Sequence, residues 1–450
     1  MGLLTRLFGS KGKNADAPGS APQEGELMPV PKKVASTRKP ISITLDILKE
    51  LFPVRNLGDE VLEAFALYRE AEVFGPGTIL FRRGEPSDSV FYLLEGAVSM
   101  DLGEGGSYEV QANTAKSRFP LCSAKHYSAT ALALTDIQVL RVSPKIMGQD
   151  TSKDAAERSA IDPLDPSIPV EVRSGRLFQA FCQYYRDEEL TIPSLPDVAV
   201  KLRKAIAQNV DVNEVVKIVQ LDPAIAGKLV HVANSPLYLP TRPISNCRDA
   251  IVRLGLAATR NLVISYSLKQ IFQCKDRHIN QLLQEEWKKS VYLSSLCYVL
   301  ALENGGVDPE EALLAGLVSD IGVTPFLYFA ENFPREYWSP EDIALALPWL
   351  RGPVGVFVLR RWDFRPELVE IPLLAEDWFH DGGAELRLSD IVTLSKLHAY
   401  IGTPRMAELP AINSIPACEK LKDGQLSPEH SLNVLHVAKD KINQSLKLFF

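Results

Sequence analysis

The sequence predicts a multidomain α+β protein, an N-terminal β-roll followed by an all-α domain. Three observations carry this. Short apolar segments rich in β-branched and aromatic residues recur between glycine- and proline-bearing turns from Thr78 to Val142, the pattern of a small barrel or jelly roll. Beyond about residue 172, apolar residues instead recur at spacings of three and four, the helical period. Two segments poor in apolar residues, 9–40 and 148–172, flank the strand-rich region. The division that follows is a disordered tether over 1–40, a roll with flanking helices over 41–147, and a linker over 148–172. A helical domain over 173–405 and a C-terminal segment with a terminal helix over 406–450 complete it.

Taken in order, the tether has prolines at 18, 22, 29, 31 and 40 and too little apolar surface to offset the entropy of ordering. From Leu45 to Ala71 the spacing predicts helix, through Leu48, Leu51 and Phe52, then Val61, Leu62, Phe65 and Leu67. Six strands follow, at Thr78–Arg82, Val90–Leu94, Ala97–Leu102, Tyr108–Ala112, Ser128–Leu134 and Ile137–Val142. Turns such as Gly75-Pro76-Gly77 and Gly84-Glu85-Pro86 punctuate them. In the helical half, Asp211 and Glu214 have capping-box spacing ahead of Val215, Val216, Ile218 and Val219. Asp222-Pro223 reads as an N-cap with proline in the first turn, opening a helix over Ala224–Ala233. Asn234-Ser235-Pro236 ends that helix, since asparagine tolerates a left-handed backbone and proline blocks continuation. Gly255 closes a helix begun near Ser245, in which Arg253 reads as an internal packing or salt-bridge residue. Helical patterns recur at 285–303, 308–318, 341–349, 353–361, 385–400 and 428–448.

Composition excludes some classes. At 450 residues and 46% hydrophobic content, the chain can bury a large core in more than one domain. A net charge of -7 leaves no basic footprint, so no direct nucleic-acid binding is expected. With no run of about 18 apolar residues read in the sequence, no transmembrane segment is expected. Met1–Phe8 lacks the long apolar core of a signal peptide, and Arg6 stands where myristoylation prefers Ser or Thr. Cysteines 122, 182, 247, 274, 297 and 418 show no CxxC spacing and read as reduced, mostly buried thiols. The expected location is cytoplasmic.

Across roughly 190–400 the chain resembles the HDOD domain, a branch of the HD superfamily found in bacterial signalling proteins. Leu221-Asp222-Pro223-Ala224-Ile225 and Ala233-Asn234-Ser235-Pro236 carry the resemblance, with Ala250-Ile251-Val252-Arg253-Leu254-Gly255 after them. The strand-rich half resembles a cyclic-nucleotide-binding domain, through Phe74–Leu80, Arg83-Gly84-Glu85-Pro86 and Phe91–Gly96. Together the two resemblances imply a bacterial signal-transduction protein whose partners are other signalling proteins.

Both resemblances lack the residues that would hold a ligand. Cyclic-nucleotide binding requires a Gly-Glu pair opening a short helix and then an arginine, which together take the cyclic phosphate and ribose. Here the corresponding stretch runs Ser117–Cys122 and Lys125–Ala131, with no Gly-Glu pair, Pro120 removing an amide and Tyr127 near the arginine position. Arg118, Lys125 and His126 remain as anion contacts. An HD site requires several His and Asp ligands converging on one or two metals. Its first histidine falls near Lys289, its His-Asp pair is Ser319-Asp320 and a later histidine is replaced by Arg351. Paired histidines would lie around Glu376-Asp377-Trp378, where only His380 is near, and Lys396 stands near the last acidic or amide position. An internal ion pair among Lys289, Asp320 and Arg351 is the expected arrangement.

No catalytic residue, cofactor or metal is therefore assigned. The expected function is a non-enzymatic regulator, a pseudoenzyme acting through protein–protein interactions of its helical half and admitting a nucleotide ligand. The alternatives are a divergent HD-type metal-dependent phosphohydrolase and a cyclic mono- or dinucleotide sensor. Nothing in the sequence sets the oligomeric state.

Overall fold

The computed structural model describes residues 38–103, 106–144, 161–162, 168–187, 190, 192, 195–208, 210–235 and 242–422. All lie in one compact unit that begins at Lys33. Most of the tether and linker, Pro236 and the terminal helix expected over 428–448 lie outside the described residues.

Seven strands build the roll: β1 Glu72–Phe74, β2 Ile79–Phe81, β3 Val90–Glu95, β4 Ala97–Asp101, β5 Ser107–Gln111, β6 Thr130–Ala133 and β7 Ile137–Val142. They form two antiparallel sheets, ordered β1-β7-β3 and β2-β6-β4-β5. Six coincide with the expected strands. The seventh, β1, pairs Val73 with Gln138 and is too short for alternation to reveal. β3 is buried on both faces, because side chains alternate along a strand. Phe91 and Leu93 enter the core between the sheets with Val98, Met100 and Ile137. Val90 and Tyr92 face a second core with Leu48, Leu62 and Leu140.

That second core is covered by α1 Leu45–Glu50 and α2 Asp59–Ala66, separated by a 3-10 turn at Val54–Asn56. The helical pattern expected over Leu45–Ala71 is thus divided between two short helices. Pro53 has no N–H to give a helix and disfavours helical backbone at Phe52.

Fifteen further helices follow among the described residues. The first eight are α3 Val170–Arg173, α4 Arg176–Arg186, α5 Asp197–Ala207, α6 Val212–Gln220, α7 Pro223–Ala233, α8 Cys247–Leu254, α9 Leu256–Gln270 and α10 Arg277–Asn304. Then come α11 Pro309–Val318, α12 Val323–Asn332, α13 Pro340–Arg361, α14 Pro366–Val369, α15 Ile371–Leu374, α16 Leu388–Ala399 and α17 Pro416–Glu419. The Asp211 carboxylate accepts the amides of Asn213 and Glu214, and Asp222 accepts those of Ala224 and Ile225. Gly255, at φ 84°, ends α8 in a backbone region that a side chain would strain.

The patterns at 341–349 and 353–361 belong to one helix, α13, with Pro348 and Pro353 inside it. Its buried face runs through Ile343, Ala346, Leu350, Val354 and Val358 without interruption. Burial along that face overrides the local preference of proline. By length and composition alone, two stretches are apolar enough to cross a membrane, Pro309–Asn332 and Pro340–Arg361. The first is interrupted by the turn Ser319–Gly322, leaving two helices of 10 residues each, about half a bilayer in length. The second carries Arg351 into a buried ion cluster.

Candidate functional site

That cluster is built where four elements meet. The turn Ser319–Gly322 between α11 and α12 lies against α13 so closely that a Cβ at Gly322 would overlap the Arg351 carbonyl oxygen and the Gly355 amide. Gly355 in turn admits the ring of Pro372. This close approach sets Asp320 beside Arg351, whose guanidinium lies 3.8 Å from Asp320 Oδ1. From α16, Lys396 Nζ reaches Asp320 Oδ1 at 2.7 Å and Glu376 Oε1 at 3.3 Å. Glu376 also pairs with Arg351 and with Arg405 at 2.9 Å, and accepts the Tyr400 hydroxyl at 3.2 Å. Two carboxylates thus face three cations, and the Lys396 side chain is only 4% exposed.

Burial alone would favour the neutral acids. Lys396 and Arg351 outweigh it and hold Asp320 below its usual range. Against the same opposing burial, Lys396, Arg351 and Arg405 hold Glu376 down to about 2. Burial, reinforced by Glu376, pushes the Tyr400 hydroxyl up to about 12. Both carboxylates are ionised and fully neutralised at pH 7.

The expected trio of Lys289, Asp320 and Arg351 is corrected in one member. Lys289 is an exposed residue paired with Glu286, one turn away at 2.6 Å. Lys396 takes its place. Ser319 is buried and donates to the Gly316 carbonyl at 3.0 Å, so its hydroxyl is spent on its own helix. An ammonium between Asp320 and Glu376 leaves no room for a divalent cation that both could share. No group of three His, Cys, Asp or Glu able to hold a metal occurs among the described residues. The donor set does not fit an HD-type metal.

The signature residues of the helical half have structural positions. Asp222 and Pro223 open α7. Asn234 is right-handed, at φ -89°, not left-handed as expected. Its side chain accepts the Ile244 amide at 2.8 Å and donates to the Ile244 carbonyl at 2.7 Å, tying the end of α7 to the residues just before α8. Ser235 is buried. Arg253 lies on the exposed face of α8 rather than inside the domain.

In the roll, Tyr127 is buried. Its ring stacks on Phe81 with centroids 4.0 Å apart, and its hydroxyl donates to the Ser89 carbonyl at 2.7 Å. An aromatic side chain therefore fills the interior at the position first assigned to a phosphate-binding arginine. The three expected anion contacts do meet anions, and all belong to the chain itself. Arg118 lies 4.0 Å from Glu50, Lys125 lies 3.4 Å from Asp381 and His126 lies 2.6 Å from Glu419.

Residues 192–377 match the HDOD domain family, and residues 71–149 match the cyclic nucleotide-binding domain family. The chain joins a cyclic nucleotide-binding-like domain to an HDOD domain. A candidate metal-dependent phosphohydrolase from Shewanella amazonensis SB2B shares the fold at TM-score 0.53 and 23% identity, the match covering 63% of this chain and 100% of that one. An HDOD domain protein of unknown function from Geobacter sulfurreducens is 19% identical, with TM-score 0.45 over 61% of this chain and 98% of that one. A cyclic nucleotide-binding-like protein from Brucella abortus is 20% identical, with TM-score 0.19 over 24% of this chain and 97% of that one. No curated protein matches the chain.

Sequence reasoning gave no role to Glu376, Asp381, Tyr400 and Arg405 inside the expected HDOD bounds of 173–405, or to Glu419 beyond them. One signal was available. Lys396 sits among the helically spaced apolar residues Ile391, Val392, Leu394 and Leu397, and a lysine buried on a helix requires a carboxylate partner.

Proposed function

We propose that the protein is a non-enzymatic regulator of bacterial signal transduction, acting in the cytoplasm through protein–protein contacts of its HDOD domain. The roll, taken as 41–147, is the input half; 148–172 links it to an HDOD domain taken as 173–405. Lys289, Ser319, Asp320 and Arg351 are read as the remnants of an HD metal site. The observation that carries the reading is Asp320, the surviving acid of the His-Asp pair, neutralised by Lys396 and Arg351 of the same chain. A carboxylate held in that way has its charge already compensated within the chain, which weakens its pull on a metal ion or a metal-bound water.

The name of the Shewanella protein supports a second reading, a divergent metal-dependent phosphohydrolase. One preparation separates the two. Metal analysis of the purified chain is expected to find no stoichiometric transition metal, and assays on cyclic dinucleotides and an aryl phosphodiester are expected to show no turnover. Bound metal with turnover that Asp320→Ala abolishes would overturn the regulatory reading.

A further inference from the structure

The loop Leu121–Ser128 is hydrogen-bonded on one side to the 84–87 turn of the roll and on the other to the C-terminal helix α17. It is held extended against the 84–87 turn, with the Gly84 amide donating to the Tyr127 carbonyl at 2.8 Å and the Ser87 amide donating to the Lys125 carbonyl at 2.7 Å. This leaves the next two amides pointing away from the roll. Both end on one carboxylate: Glu419 Oε2 accepts Lys125 N at 2.7 Å and His126 N at 3.4 Å. His126 Nδ1 meets the other oxygen, Oε1, at 2.6 Å. Two adjacent amides and an imidazole converging on one oxyanion form a site of the kind that also takes phosphate.

Ion pairs surround it. The Lys125 ammonium lies 3.4 Å from Asp381, and buried Lys420 lies 3.3 Å from Asp381 and 2.9 Å from Asp390. Beside Glu419 opens a cavity of about 510 Å³ lined by Ser87, Ser123, Lys125, Asp381 and Lys420, within the range of small-ligand sites, roughly 300–1,000 Å³. Glu419 arrives on α17, whose approach is fixed by Ser123, which donates both its amide and its hydroxyl to the Ser414 carbonyl at 3.0 and 2.7 Å.

We infer that the Lys125 and His126 amides with the His126 ring form an oxyanion site in the roll, that Glu419 is its resident occupant, and that a phosphate-bearing small molecule entering the adjoining cavity competes with Glu419 and releases α17 from the roll. The carboxylate is covalently tethered and enters at high effective concentration, so an external anion succeeds only with further contacts in the cavity. Lys125, whose exposed ammonium is held only by Asp381 at 3.4 Å, can supply one by exchanging that carboxylate for the anion. Release would be felt beyond α17, because Lys420, next to Glu419, bonds Asp390 at the start of α16. The inference holds whether or not the HDOD domain is catalytic.

Hydrogen exchange on the full chain tests it, with inorganic pyrophosphate as probe and potassium chloride of matched ionic strength as control. Glu419→Ala and Glu419→Gln are expected to speed exchange over both 121–128 and 411–421 about tenfold, by loss of charge-assisted hydrogen bonds, with the long helix α10 still protected. Pyrophosphate should then restore slow exchange over 121–128 in Glu419→Ala. In the unaltered chain it should speed exchange over 411–421. Unchanged exchange over 121–128 in both variants, or pyrophosphate acting no differently from chloride, would overturn the inference.

Discussion

The Lys396 ammonium lies 2.7 Å from Asp320 in a site where both side chains are almost wholly buried. It also reaches Glu376, so one cation of α16 joins the turn after α11 to the segment after α15. Removing Lys396 takes away the nearer of the two cations of buried Asp320 and leaves only Arg351, at 3.8 Å. Lys396→Met should destabilise the fold by about 3–5 kcal/mol, read as a lower urea midpoint. Because the cost is stranded charge and not lost volume, Lys396→Met with Asp320→Asn should fall short of the sum of the two single effects.

Acid should dissolve the same cluster. The Glu376 carboxyl is lowered from 4.5 to about 2 in the folded chain, and Asp320 is lowered from 3.8. An acid with a depressed folded pKa contributes stability that is complete above its unfolded pKa and is lost as pH falls through the folded one. Stability should therefore drop between about pH 4.5 and pH 2, as followed by urea denaturation across that range. In Lys396→Met the slope should be shallower, since the nearest cation holding both acids ionised is gone.

How much of this was legible in the sequence depends on range. Strands β2 to β7 and the caps at Asp211 and Asp222 were readable because alternation, turn residues and capping are set within a few neighbours. Asp320 and Arg351 were placed together by family spacing, and the structure keeps that pair. Lys289 was misassigned because helix α10 turns it toward Glu286, a difference of helical phase that spacing alone does not fix. Glu419 lies 294 residues from Lys125, and no local pattern announces a contact between a loop and a short helix so far apart. The single helix α13 was split for the opposite reason: its prolines are a strong local signal, outweighed by burial that only the packed structure shows.

Tyr127 gives a prediction in the roll. Its ring is stacked between β2 and the loop, and its hydroxyl donates to Ser89. Tyr127→Phe should cost about 1 kcal/mol, the usual net value of one hydrogen bond. Tyr127→Ala should cost about 3–5 kcal/mol, by analogy with other large aromatic deletions from cores. Tyr127→Arg, which restores the family's arginine, should lower the melting temperature without creating cyclic AMP binding in calorimetry. A guanidinium there would replace an aromatic stack inside an apolar core and would find the Lys125 and His126 amides already bonded to Glu419.

Gly322 tests whether backbone packing is what places Asp320. Its φ of -64° suits any residue, so Gly322→Ala introduces no torsional strain. The added Cβ meets only backbone, the Arg351 carbonyl and the Gly355 amide, which cannot rotate aside as a side chain would. Overpacking of this kind costs roughly 1–3 kcal/mol. Gly77→Ala is the contrasting control: φ is 82° with nothing within 4 Å of the new Cβ, so its cost is torsional, about 1–2 kcal/mol. The two variants should be similar in urea midpoint and different at the cluster. If the turn moves away from α13, Asp320 separates from Arg351, and its carboxyl resonance in a carbon-13 titration should shift toward the ordinary aspartate range in Gly322→Ala alone. An unmoved titration in a destabilised Gly322→Ala would mean that the ion pairs hold the turn in place, and not the reverse.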